Sequence, residues 1–299
     1  MSSHKSSDAK TKVKPDSPSA LVPSSLTKPR RIHTSSQHEA WIPSLHLLKA
    51  DQKILLSESQ WLNDNIINAA QVLLQNQAKS GPIMLQGFQN TLLGKRYRFK
   101  ALQPEGGSFV QIVHINSNHW VTTTNVGCAS DSGEVRVYDS LNNYVTLDMQ
   151  KQICSFLRPP QKTLRLHVMD MQKQSDSSSC GLFAISVATA LAHGLNPSKL
   201  MWDVAMMRKH LLNCLDAQKL VEFPASDRKI CPGSMVVKKV QEQIFCSCRM
   251  PIDPRRDMVK CFVTSNQNCL QLYHPECCGV SIDDPAVKNK SWACKVCTS

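Results

Sequence analysis

No stretch of this chain is apolar for the about 18–20 residues that a membrane span needs. Its amino terminus is polar and basic and lacks the apolar core of a secretory leader. Acidic side chains are also short: 23 Asp and Glu stand against 35 Lys and Arg, a formal net charge of +12. These absences set aside a membrane protein. They point to acidic partners for the basic surface, although a solvated basic tail accounts for the charge equally well. An intracellular, reducing compartment is the expectation, where the thirteen cysteines bind metal or do chemistry instead of forming disulfides. No internal repeat is present, and helical and strand patterns interleave without regular alternation, which predicts an α+β fold.

Residues 1–38 are rich in Ser, Lys and Pro with almost no large apolar side chains, so they are expected to be a disordered tail. Within them Lys28-Pro29-Arg30-Arg31 reads as an import-like cluster or as a solvated charge run. A nuclear or nucleocytoplasmic location is the corresponding expectation. Order is expected from residue 39 to 222. The spacing predicts helices over Asn63–Gln77, with Asn63 or Asp64 as cap, over Leu147–Leu157 and over Ser198–Leu215. Strands are predicted at Phe109–Ile115, His119–Val126, Glu134–Tyr138 and Leu164–Met169. The polar, basic stretch 223–243, with Pro224 and Pro232, reads as a linker, and 244–299 as a separate small module.

Cys180 opens the apolar run Gly181–Leu191, which predicts a buried helix with the cysteine at its start. There the positive end of the helix dipole and unpaired backbone donors favour thiolate and can stabilise an oxyanion. His119, beginning a strand, and Asp139, ending one, supply a candidate base and its orienting carboxylate. His114, inside a strand, is expected to be structural.

Trp61-Leu62-Asn63-Asp64, His119-Trp120, Tyr138-Asp139-Ser140-Leu141 and Gln174, six residues ahead of Cys180-Gly181, occur in that order. Over about residues 41–215 the set resembles the ubiquitin-like-protein-specific cysteine proteases of the Ulp/SENP type, related to adenovirus protease. The resemblance implies a papain-related, adenain-like fold and a His119–Asp139–Cys180 triad. It implies that Gln174 donates to the oxyanion, with Gln172 as a less well placed alternative, and that Trp61 and Trp120 enclose the substrate's terminal Gly-Gly. Expected partners are conjugates of a SUMO-like or Nedd-like modifier. The family commonly has Asp directly before the nucleophile; here Ser179 stands there and Asp176 is the nearest acid. An interaction adaptor with weakened catalysis, or a mobile-element-type polyprotein protease, would share much of this pattern.

In the last module Cys246, Cys248, Cys261, Cys269, His274, Cys277, Cys294 and Cys297 offer eight ligands in under sixty residues, a segment too short to build a core without metal. With histidine fifth in order, the set resembles a PHD finger. That resemblance implies two structural zinc ions, cross-braced: Cys246, Cys248, His274 and Cys277 on one, Cys261, Cys269, Cys294 and Cys297 on the other. Cys278 is then spare, and catalysis needs no cofactor. A histone tail or chromatin protein is a further implied partner. Direct nucleic-acid binding is not expected, because Lys and Arg are not concentrated on the module with interleaved aromatics.

Overall fold

The computed structural model describes residues 39–77, 107–116, 118–129, 132–230, 235–263 and 266–298. The amino-terminal tail with its Lys28-Pro29-Arg30-Arg31 cluster, and Cys231, lie outside them. Among the described residues no helix is long and apolar enough to cross a membrane.

After a short antiparallel pair, β1 (Ala40–Ile42) and β2 (Leu47–Leu48), a six-stranded mixed sheet organises the chain. Five of its strands are β3 (Val110–Ile115), β4 (His119–Thr124), β5 (Glu134–Tyr138), β6 (Thr163–Met169) and β9 (Val236–Phe245); the short β10 (Met250–Pro251) completes it in the order β10-β9-β6-β5-β4-β3. Only β5 and β6 run parallel. Alternation along the strands feeds two cores. On one face Val110, Ile112, Trp120 and Tyr138 meet α1 (Lys49–Leu56), α2 (Asp64–Gln77), α4 (Cys180–Ala192) and α5 (Val204–Asp216). On the other, Val113, Ile115, Val121, Val135 and Val137 meet Met149, Ile153 and Phe156 of α3 (Leu147–Leu157).

Local chemistry explains the helix ends. Thr146 caps α3 by accepting from the Met149 N–H at 3.1 Å, and Asn63 Oδ1 caps α2 by accepting from Ile66 N–H at 3.1 Å. Helix α4 is buried from Cys180 to Leu191, as its all-round apolar sequence demands, and Thr122 of β4 donates to its Ala184 carbonyl at 2.8 Å. The nucleophile candidate therefore stands at the end of the best-buried helix, laid directly on the strand that carries His119.

Two expectations fail. Residues 198–203 do not begin the last helix: they form a 3-10 turn at Pro197–Lys199 and strand β7 (Leu200–Trp202), which pairs with β8 (Ala225–Asp227). The Trp202 backbone is held from both sides by the Gln172 side chain (2.6 and 3.1 Å), which stabilises the extended form. The stretch 223–243, expected as a linker, instead contributes β8 and most of β9, which pairs antiparallel with β6 from Thr163–Gln243 to Met169–Val236. Exposed Lys238, Lys239, Gln241 and Gln243 make β9 look like solvated chain, while its backbone supplies the ladder and Ile244 reaches the core.

Candidate active site and metal-ligating clusters

Cys180, His119 and Asp139, distant in sequence, are brought together and buried. His119 Nε2–H donates to Asp139 Oδ1 at 2.7 Å, an arrangement that leaves Nδ1 for the thiol, and Cys180 lies within hydrogen-bonding reach of the ring. Burial alone would pull the imidazole's pKa down. The Asp139 carboxylate and the Cys180 sulfur outweigh it and push the value up to about 9. Asp139 is itself opposed by burial, but its bonds to His119 and to the Asn142 and Leu141 N–H groups (2.9 and 2.8 Å) hold it below the usual carboxylate range. Its Oδ2 is buried and meets no donor among the described residues, so Oδ1 alone carries the contact to the ring.

The two glutamines separate. Both ends of the Gln172 amide are taken up by the Trp202 backbone. Gln174, by contrast, lies between the loop of Asp139 and the approach to Cys180. Its Oε1 accepts from Ser140 Oγ–H at 2.6 Å, its Nε2–H donates to the Asp176 carbonyl at 2.7 Å, and its N–H donates to the Ser140 carbonyl at 2.9 Å. Lys173 ties the same segments by donating to the carbonyls of Asp139 (2.8 Å) and Asn142 (3.0 Å).

Residues that the sequence reading gave no role complete the approach to the cysteine. Asp176 Oδ1 accepts from the N–H groups of Ser178 and Ser179, both at 2.7 Å, and Oδ2 accepts from Ser179 Oγ–H at 2.8 Å. A carboxylate three residues earlier thus orders the turn that has serine where the family commonly has aspartate. An acidic residue two and three places ahead of serines is the sequence signal for such a turn.

The tryptophans take unlike positions. Trp61 is 50% exposed, on a loop held by Asn63 Nδ2–H donating to buried Asp51 (2.6 Å). Trp120 is 5% exposed; its indole N–H donates to the Leu62 carbonyl at 3.1 Å and its ring lies 4.3 Å from that of His114. His114 is a packing partner here, as expected. Leu62 also presses on Gly181: a Cβ there would sit 2.9 Å from Leu62 Cβ, so glycine is required for the Trp61–Leu62 loop to touch the start of α4.

Near the carboxy terminus the eight ligand candidates fall into two groups, Cys246, Cys248, His274, Cys277 and Cys261, Cys269, Cys294, Cys297, each with its donor atoms within 4.8 Å of one another. All eight pair as the cross-braced expectation has them, the cysteines are free thiols, and Cys278 stands apart with its sulfur directed at the Pro275 carbonyl. Tetrahedral zinc–thiolate bonds of about 2.3 Å put donors roughly 3.8 Å apart. Cys269 Sγ and Cys294 Sγ are 3.7 Å apart, and Cys248 Sγ lies 3.4 Å from His274 Nδ1. Soft ligands at these separations fit zinc.

No family model and no curated protein matches the chain. Several solved structures are similar to it. The C-terminal Ulp1 protease domain in complex with Smt3, the yeast ortholog of SUMO, shares 17% identity over 58% of this chain and 85% of that one, with a TM-score of 0.42. SUMO protease Ulp1 with its catalytic cysteine oxidised to a sulfonic acid shares 19% over 60% and 88%, at 0.48. The Xanthomonas campestris effector XopD bound to ubiquitin shares 17% over 54% and 91%, at 0.37. At such identities and scores, activity has to be read from this chain's own residues.

Proposed function

We propose that this chain is a cysteine peptidase that cleaves after the carboxy-terminal Gly-Gly of a ubiquitin-like modifier, SUMO-like or Nedd-like. The observation that carries the reading is a buried imidazole held between the Asp139 carboxylate at 2.7 Å and the Cys180 thiol at the start of a helix. His119 takes the proton of Cys180, and the sulfur attacks the carbonyl carbon of the terminal glycine. The oxyanion forms beside the backbone N–H of Cys180, which as first residue of α4 has no partner within the helix, and beside the Gln174 amide. His119 then returns the proton to the leaving amine, and water, deprotonated by the same ring, hydrolyses the thioester. Asp139 keeps Nε2–H donating, which fixes Nδ1 as the nitrogen that exchanges the proton.

The substrate class follows from the approach. The exposed indole at Trp61 stands on a loop whose Leu62 packs against Gly181 and accepts from Trp120, where it would cover a substrate strand whose last residues have no side chains. The carboxy-terminal cysteine clusters would hold two structural zinc ions in a PHD-type finger, and none of their ligands belongs to the Cys180–His119–Asp139 set. There they supply cross-links to a segment with little hydrocarbon core. A histone or chromatin protein is a candidate ligand for that finger, and a nuclear location accords with one.

A modifier probe bearing an electrophile after its Gly-Gly tests the activity directly. The expected outcome is a covalent adduct on Cys180 and loss of conjugate cleavage in Cys180→Ala with substrate binding retained. Undiminished cleavage by Cys180→Ala removes the assignment.

A further inference from the structure

Resting on the peptidase reading, we infer that Ser140 is the positioning residue that orients the Gln174 amide toward the reacting carbonyl. A primary amide can lie either way round in a site, and the two orientations present opposite chemistry: an oxygen where the other offers N–H. Here the choice is dictated by partners. The Asp176 carbonyl can only accept, so the nitrogen of Gln174 must face it (2.7 Å). The amide oxygen is thereby turned to the Ser140 hydroxyl, which must donate (2.6 Å). One N–H of Nε2 is used on Asp176 and the second remains for an oxyanion.

Ser140 is well suited to this task. It is 2% exposed, so its hydroxyl meets little competition from water. It follows Asp139 directly, and its carbonyl accepts the Gln174 N–H at 2.9 Å, which pins backbone and side chain together. Adjacent residues thus set both halves of the machinery, Asp139 the imidazole and Ser140 the amide. Asp176 closes the circuit: its carbonyl holds Gln174 while its carboxylate holds the N–H groups ahead of Cys180. Without the Ser140 hydroxyl, the buried amide oxygen loses its donor and the Gln174 side chain is held at one end only, by the Asp176 carbonyl.

The test is a double-mutant cycle in the full chain with a second, substrate-free readout. Removing an oxyanion donor costs roughly 10²–10³-fold in kcat, and partial misorientation forfeits part of that. Ser140→Ala is therefore expected to lower kcat about 10-fold with KM within about 2-fold, and to lower it no further when Gln174 is already alanine. In Cys180→Ala protein, the two side-chain amide protons of Gln174 should give separate, slowly exchanging NMR signals that exchange at least about 10-fold faster once Ser140→Ala is added. Equal losses with and without Gln174, or an amide signal that Ser140→Ala leaves unchanged, overturns the inference. If the wild-type chain turns over no Gly-Gly substrate, the peptidase reading fails by itself, and the amide signal still decides the role of Ser140.

Discussion

The sheet and its helices are held by hydrocarbon, whereas the carboxy-terminal module is held by groups that call for metal. On the two faces of the sheet the largest buried side chains include Phe156, Phe183, Ile66, Ile67, Leu74 and Met149. The buried cluster of the module consists of Cys246, Cys261, Cys269, Cys294 and a single aromatic, Tyr273. The first is stabilised by exclusion of water and is expected to tolerate a change of metal concentration. The second has too little apolar surface to offset its ordering entropy and is expected to fold only when its thiolates share a cation.

Chelation should produce the largest effect that separates the two regions. Structural zinc contributes roughly 10–16 kcal/mol in small fingers. Stripping it is expected to abolish hydrogen-exchange protection across residues 246–297 while α4 and β3–β5 keep theirs, with β9 intermediate. Protection retained throughout by metal-free protein would erase the contrast. Phe156→Ala is the converse experiment. It empties a fully buried site in the core under α3, where Phe109 meets its ring edge-on at 5.8 Å, and should cost about 3–5 kcal/mol in chemical denaturation. Metal content should be unchanged. A third, smaller effect comes from pH. His119 holds its proton more tightly folded than unfolded, so its contribution to stability is complete below about 6.5. That contribution disappears as pH rises through about 9, and kcat/KM should fall over the same alkaline range as the general acid is lost. Asp139→Asn should move that limb to lower pH.

Legibility in the sequence followed the side chains. Helix α3 runs from Leu147 to Leu157 and β5 from Glu134 to Tyr138, as their periodicity predicts, because each buries a regular face. Cys180 opens α4 because an unbroken apolar run begins directly behind it. Strand β9 was hidden because its stabilisation comes from the backbone, which no side-chain pattern records. Trp202 left the expected helix for an extended strand through bonds to Gln172, a residue thirty positions away. At the site, the residue types for the chemistry were visible, but not the contacts among Ser140, Gln174 and Asp176: a serine's role depends on what faces it after folding.

Strand β9 has a practical consequence. It is shared property: its flank lies along β6, its end delivers Phe245 to Cys246, and beyond it Asp253 forms an ion pair with Lys151 of α3. A scissor placed at residue 222, where the composition changes, would strip Thr163–Met169 of one of its two neighbours and leave a row of bare amides inviting a second molecule. An expression fragment trimmed to the hydrolase alone would thus meet trouble first as a precipitate in the tube, before any question of turnover arose.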